Sequence, residues 1–117
     1  MLRDDVTLLD IAKSARLILV FIQGMGKEAF LGDIKTQSSV MYQLMVMGEA
    51  VKRLSTEFRA AHAYIPWSLI AGMRDHLIHA YDTVDWEEVW KTASRDLPDL
   101  LVKLAPLLPQ QHPGETG

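Results

Sequence analysis

Apolar positions recur at helical spacing almost from the start of the chain. Val6, Leu9, Ala12, Leu17, Val20 and neighbouring aliphatics stand at helical spacing in a first helix, with Asp4 or Asp5 as its N-cap and Gly24-Met25-Gly26 as its stop. Lys27 to Gly32 has room for a single helical turn. Val40, Leu44, Met47, Val51, Leu54 and Phe58 then step by 4, 3, 4, 3 and 4, which winds a narrow apolar seam along a long second helix over about Ile34 to Arg59. Met41, Met45 and Ala50 widen that seam, and methionine at such spacing is ordinary core or dimer packing.

Ala60 to Ile65 reads as a loop, and Pro66 suits the first position of a third helix, where its missing N–H is harmless. That helix carries Trp67, Leu69, Ile70, Met73, Leu77 and Ile78 and reaches His79. Asp82-Thr83-Val84 is a turn. Asp85 with Glu88 forms a capping box for a fourth helix whose buried side is Trp86, Val89, Trp90 and Ala93. Pro98 breaks or kinks the pattern before Leu100, Leu101, Leu104 and Leu107 resume it. No segment alternates with period two. The prediction is an all-α, up-down antiparallel bundle of four to five helices, built from residues 1–108 as one domain. Residues 109–117, with two prolines and no periodic apolar face, read as a disordered C-terminal tail.

Composition narrows the function. The 117 residues include no cysteine, which excludes disulfides, thiolate zinc sites and a cysteine nucleophile together. The longest apolar run, Leu17 to Ile22, falls far short of the roughly 20 residues a membrane span needs. Arg3, Asp4 and Asp5 follow Met1 with no apolar signal region, so a cytoplasmic protein with no membrane partner is expected. The net charge of -3 is unlike that of a stand-alone duplex binder, so any nucleic-acid site must be local. The charge is also uneven: residues 1–80 carry nine Lys/Arg against eight Asp/Glu, and residues 81–117 carry three against seven.

One stretch does not fit a purely structural account. Gly72, Asp75, His76 and His79 occupy i, i+3, i+4 and i+7, a small and polar stripe on a helix otherwise committed to the core. Arg74 lies roughly 140° from His79 on an ideal helix, so the two converge only if the arginine reaches around, the helix ends early or a second chain contributes. Three readings are open. Histidine moves protons near neutral pH and arginine grips phosphate with two donors, which together suffice for metal-free RNA cleavage by the ribose 2'-hydroxyl. The bland alternative is that Asp75 and His79 pair on an exposed face while Arg74 snorkels. The third is one metal ion held by His76, His79 and Asp75, although the facing Glu-x-x-His pairs of bundle metal sites are missing.

The chain resembles the HepT-like family of the HEPN superfamily. The resemblance rests on Gly48-Glu49-Ala50 in the second helix, Ile65-Pro66-Trp67 opening the third, and Gly72-Met73-Arg74 running through Leu77-Ile78-His79 to Tyr81. Val84-Asp85 before Val89-Trp90, and Asp96-Leu97-Pro98, fit as well. The Arg-x4-His-x-Tyr signature is complete as Arg74, His79 and Tyr81. The resemblance implies a homodimer with two Arg-x4-His motifs facing across its interface. It also implies a metal-independent endoribonuclease, needing no cofactor, that acts as the toxin of a toxin-antitoxin module. The implied partner is a nucleotidyltransferase antitoxin, which in some members attaches AMP to the signature tyrosine, here Tyr81. Asp75 departs from the family, where asparagine is common. Glu49, on the long helix, either orients Arg74 or His79 or pairs with Lys52 or Arg53 of its own helix.

The expected site is therefore Arg74 and His79 as catalytic residues, with Asp75, His76 and Glu49 in support. A rival reading, favoured by the negative net charge, is a non-catalytic helical module that docks a nucleotidyltransferase and helps bind its nucleotide or substrate.

Overall fold

The computed structural model describes residues 3–109, without the side chain of Tyr81. Apart from Pro109, the expected disordered tail lies outside the described residues. Every regular element among them is helical: α1 Arg3–Phe21, α2 Lys27–Leu31, α3 Ile34–Arg53, α4 Thr56–Ala61, α5 Trp67–His79, α6 Trp86–Lys91 and α7 Leu97–Leu104. The long helix α3 packs on α1 and on α5, and α7 closes against α1. The result is the all-α bundle that the spacing predicts. No helix among the described residues is long and apolar enough to cross a membrane.

The inward face of α1 is rotated from the expected one. Leu8, Ile11, Ala12, Ala15 and Ile18 are buried, with Ile22 just past the helix; of the expected positions only Ala12 is among them, and Val6 and Val20 are exposed. Aliphatic residues at helical spacing fall on more than one side of α1, so periodicity alone did not select the side that meets α3 and α7. On α3 the expected seam holds: Val40, Leu44, Met47, Val51 and Leu54 are all buried.

The long second helix does not reach Arg59. It stops at Arg53, and Ser55 starts α4 by accepting a hydrogen bond from the Phe58 amide on its hydroxyl oxygen. Asp4 explains the break. Its carboxylate accepts both the Ser55 amide, at 2.9 Å, and the Ser55 hydroxyl, at 2.7 Å, which pins the α3–α4 corner to the start of α1. These bonds hold the Asp4 carboxyl below the usual carboxylate range. Asp4 is thus a tertiary brace within α1 and not its N-cap.

Elsewhere the signals in the sequence are used nearly as expected. Gly24 takes a positive φ of 74° after α1, and α2 is the single turn. Gln37, buried, donates to the Phe30 and Leu31 carbonyls and so satisfies the end of that turn. Phe30 packs against Trp86 and Trp90 of α6. Pro66 is the N-cap of α5, one position before the expected one, and Asp85 caps α6 through the Glu87 and Glu88 amides. Pro98 does not break the helix. Residues Thr92–Asp96 widen into a π turn, with the Leu97 amide bonded to the Thr92 carbonyl, and helix continues through the proline.

Candidate functional site

The site is built where α5 crosses α3. Gly48, buried within α3, brings the two backbones together: a Cβ at that position would overlap the Cβ of Arg74 and lie 3.1 Å from the Ile70 carbonyl oxygen. Glycine within a helix costs about 1 kcal/mol relative to alanine, so its presence here marks a contact that needs the missing side chain.

Arg74 emerges from that contact with its side chain about a quarter exposed. Its Nη2 lies 3.1 Å from Glu49 Oε2, one residue on from Gly48, and its Nη1 donates to Asp75 Oδ1 at 3.0 Å. Lys52 Nζ donates to the same Asp75 oxygen. The guanidinium is therefore fixed between two carboxylates, and Asp75 between two cations. Hydrogen bonds from Lys52 first, and from Arg74 second, hold the Asp75 carboxyl below the usual carboxylate range.

Of the two options open for Glu49, the structure gives the cross-helix pair with Arg74. The expected alternative of an Asp75–His79 pair is not formed, because Lys52 and Arg74 take that carboxylate. Nor do the four stripe residues share one environment. Gly72 and His76, both exposed, line a groove between α5 and α6 opposite Asp85 and Glu88. His79 is exposed at the last position of α5. No hydrogen bond or ion pair links it to Arg74 among the described residues. Tyr81 begins a short 3-10 turn just past that helix end. Among the described residues no three His, Cys, Asp or Glu side chains converge as metal ligands.

A second groove runs between α3 and α5 beside Arg74. Tyr42, Met45, Val46 and Glu49 line it from α3, and Arg74 and Ile78 from α5. Sequence reasoning missed Tyr42 entirely, and it passed over Lys52 except as a neighbour of Glu49. The spacing of Tyr42, Met45, Val46 and Glu49 along one helical stripe was legible, but only the packing of α5 makes it one wall of a groove.

Chemically, this arrangement is a preoriented guanidinium at a surface, with an exposed imidazole farther along the same helix. The first can take up phosphate and the second can transfer a proton.

A family described as Ribonuclease HepT-like matches residues 11–107. A protein of Thermococcus cleftensis named "Probable ribonuclease HepT" is 44% identical over 98 residues, which span 84% of this chain and 89% of that protein. A protein of Caldanaerobacter subterraneus subsp. tengcongensis, given an RNase name, is 34% identical over 86% of this chain and 90% of its own length. One from Methanocaldococcus jannaschii, likewise given an RNase name, is 38% identical over 80% of this chain and 77% of its own length. No solved structure matches the chain.

Proposed function

Because the chain belongs to the HepT-like ribonuclease family, a ribonuclease family of the HEPN type, we propose that it is an endoribonuclease that cleaves RNA without a metal ion. Arg74 binds the scissile phosphate. The ribose 2'-hydroxyl attacks phosphorus, giving its proton to His79, and the bond to the 5' oxygen breaks as that oxygen takes a proton from water, so that the products end in a 2',3'-cyclic phosphate and a 5'-hydroxyl. The observation that carries this reading is the Arg74 guanidinium held at the α3–α5 crossing by Glu49 and Asp75. A phosphate arriving there exchanges carboxylate partners for its own oxygens, and the arginine needs no reordering to receive it. Glu49 is then the positioning residue, and the Asp75 carboxylate competes with the phosphate for the guanidinium. His76, which lines the opposite groove, lies outside the reacting set.

The reading extends to assembly and regulation. Two copies placed with their α3–α5 faces together would form a composite site, with His79 of one copy approaching Arg74 of the other, which meets the angular separation of the two on one helix. The proposed role is the toxin of a toxin-antitoxin module, acting in the cytoplasm, with a nucleotidyltransferase antitoxin that attaches AMP to Tyr81. A phosphate charge on Tyr81, two residues from His79, would repel an RNA backbone and so silence the site.

Cleavage of RNA by the purified protein in excess chelator, followed by end-group analysis, tests the chemistry. Cyclic phosphate ends are the expected result. Loss of cleavage on chelation, or 5'-phosphate ends, would overturn it.

A further inference from the structure

Helix α1 is apolar on two sides. Leu8, Ile11, Ala15 and Ile18 are buried in the core. At 100° per residue, Val6, Leu9, Lys13, Arg16, Leu17 and Val20 fall within roughly 100° of arc and form a second stripe, in which Val6 and Val20 are exposed and Leu9 and Leu17 half-buried. A helix that lies on a protein surface needs one apolar stripe, and apolar residues all round mark a helix that is covered all round. The outer stripe is also cationic. Lys13 and Arg16 are exposed and have no ion-pair partner among the described residues. Of the acids near it, Asp10 is held by Arg53 and Asp5 is half-buried.

A surface of the opposite charge exists on the same chain. Helix α5 packs on α3, and α7 on α1, and a cleft of about 180 Å³ remains between α5 and α7. Leu44, Met47, Ile70, Met73 and Leu100 line it, and Leu69, 69% exposed, borders it. Asp96 and Asp99 stand on that cleft, and Asp85 and Glu88 on the groove that adjoins it across Leu69 and Met73, against the cations Lys91 and Lys103. Lys103 is bound to Asp99, whereas Asp96 and Glu88 have no ion-pair partner among the described residues.

We infer that the outer stripe of α1 docks on the α5–α7 cleft of a second copy of this chain. Charge selects the pairing. Two α1 stripes set together would oppose Lys13 and Arg16 to their own kind, and two clefts would oppose Asp96 to itself. The stripe of one copy on the cleft of another brings apolar surface and opposite charges together. Stripe and cleft share no residue, so each copy can give one and receive the other, and neither includes the groove beside Arg74. A heterologous contact of this kind extends an assembly beyond a pair, into a closed ring or an open chain. RNA fits the stripe less well, because a phosphate track is polar as well as cationic. An anionic membrane fits less well, because the chain carries a net charge of -3.

Sedimentation velocity over a series of protein concentrations tests this, independently of any cleavage. The parent is expected to form species heavier than two chains, which diminish as salt is raised. Lys13→Glu with Arg16→Glu, and separately Glu88→Lys with Asp96→Lys, should each abolish those species. All four positions are exposed, so the helical circular dichroism should not change. Mixed in equal amounts, the two double variants should regain the heavy species, because the new glutamates of one then meet the new lysines of the other. A parent no heavier than two chains, or a mixture that stays as light as its components, overturns the inference. So does a Lys13→Glu, Arg16→Glu protein that keeps the parent's mass but loses binding to an RNA oligomer or to anionic vesicles, since the stripe then serves that occupant.

Discussion

The backbone of Gly48 lies against the Cβ of Arg74, so close that a methyl group on residue 48 would occupy the same space. This contact links the fold to the site, because the helix crossing that buries Gly48 also sets the distance between Arg74 and Glu49, the next residue along α3. Gly48→Ala should therefore destabilise the protein and weaken cleavage together. Better helix propensity favours the variant by about 1 kcal/mol. Overpacking costs about 1–3 kcal/mol, and here the obstacles are a Cβ and a backbone carbonyl, neither of which a rotamer change can move away. A net loss of up to about 2 kcal/mol in urea unfolding is expected, with reduced cleavage under conditions where the variant is folded. A variant as stable and as active as the parent would mean that the helices part without consequence.

The fold was largely legible in the sequence, and its errors have physical causes. The α3 seam was readable because Val40, Leu44, Met47 and Val51 step by four, three and four along one face, while the exposed Lys35, Ser38, Glu49 and Arg53 lie on the opposite one. On α1, aliphatic residues occupy more than one face, and the choice of face belongs to the partners and not to the helix. The break at Ser55 depends on Asp4, a residue 51 positions away, and local pattern contains no trace of that bond. The site divides in the same way. The spacing of Arg74, His79 and Tyr81 is a local fact, while the Arg74–Glu49 and Lys52–Asp75 pairs arise only from the packing of α5 on α3.

Asp75→Asn should raise kcat/KM several-fold. The carboxylate competes with substrate phosphate for Arg74 and also neutralises Lys52, so its removal leaves the site one charge more positive. The effect should be larger at low salt, since these side chains are partly exposed. Because the folded pKa of Asp75 is depressed, the group is ionised at every pH above the ordinary carboxylate range. The ratio of variant to parent should then be flat between roughly pH 5 and 8. It should narrow only in acid, as the parent carboxylate itself becomes neutral. Steady-state rates on one RNA oligomer across pH provide the check, and a variant less active than the parent would make Asp75 a required orienting group.

Ser55→Ala should lower stability at neutral pH by about 1 kcal/mol, through loss of the α4 cap and of the hydroxyl donated to Asp4. The two parts respond differently to acid. Asp4 has a depressed folded pKa, so its contribution is fully present above its unfolded value and is lost as pH falls through the folded value. In the parent that contribution disappears in acid, whereas the variant lacks the hydroxyl's share of it at every pH. The stability gap should therefore narrow below about pH 4 without closing, since the bond to the Phe58 amide does not titrate. Urea midpoints measured over a pH series distinguish this from a gap that is constant with pH, which would leave Asp4 without an energetic role.

Alanine replacements of Arg74, His79 and His76 separate the proposed roles. His76 and His79 are exposed on α5, so their loss should change unfolding free energy by no more than about 0.5 kcal/mol, while Arg74→Ala, which removes the pair with Glu49, should cost about 1 kcal/mol and leave the protein folded. Arg74→Ala removes the phosphate donor and leaves Glu49 facing Asp75 across the vacated position, which adds repulsion toward an anionic substrate. It should raise KM as well as lower kcat. His79→Ala removes only proton transfer, so kcat should fall by about 10²–10⁴-fold while KM is nearly unchanged. His76→Ala should do much less, because that ring faces the α5–α6 groove with Asp85 and Glu88. Light scattering on the same samples should report one mass for all four proteins, so that a loss of activity is not a loss of assembly. An equal loss across the three variants would mean that the whole exposed side of α5 binds RNA without a division of labour. A His79→Ala protein with full kcat would remove histidine from the reaction and leave Arg74 as a binding residue alone.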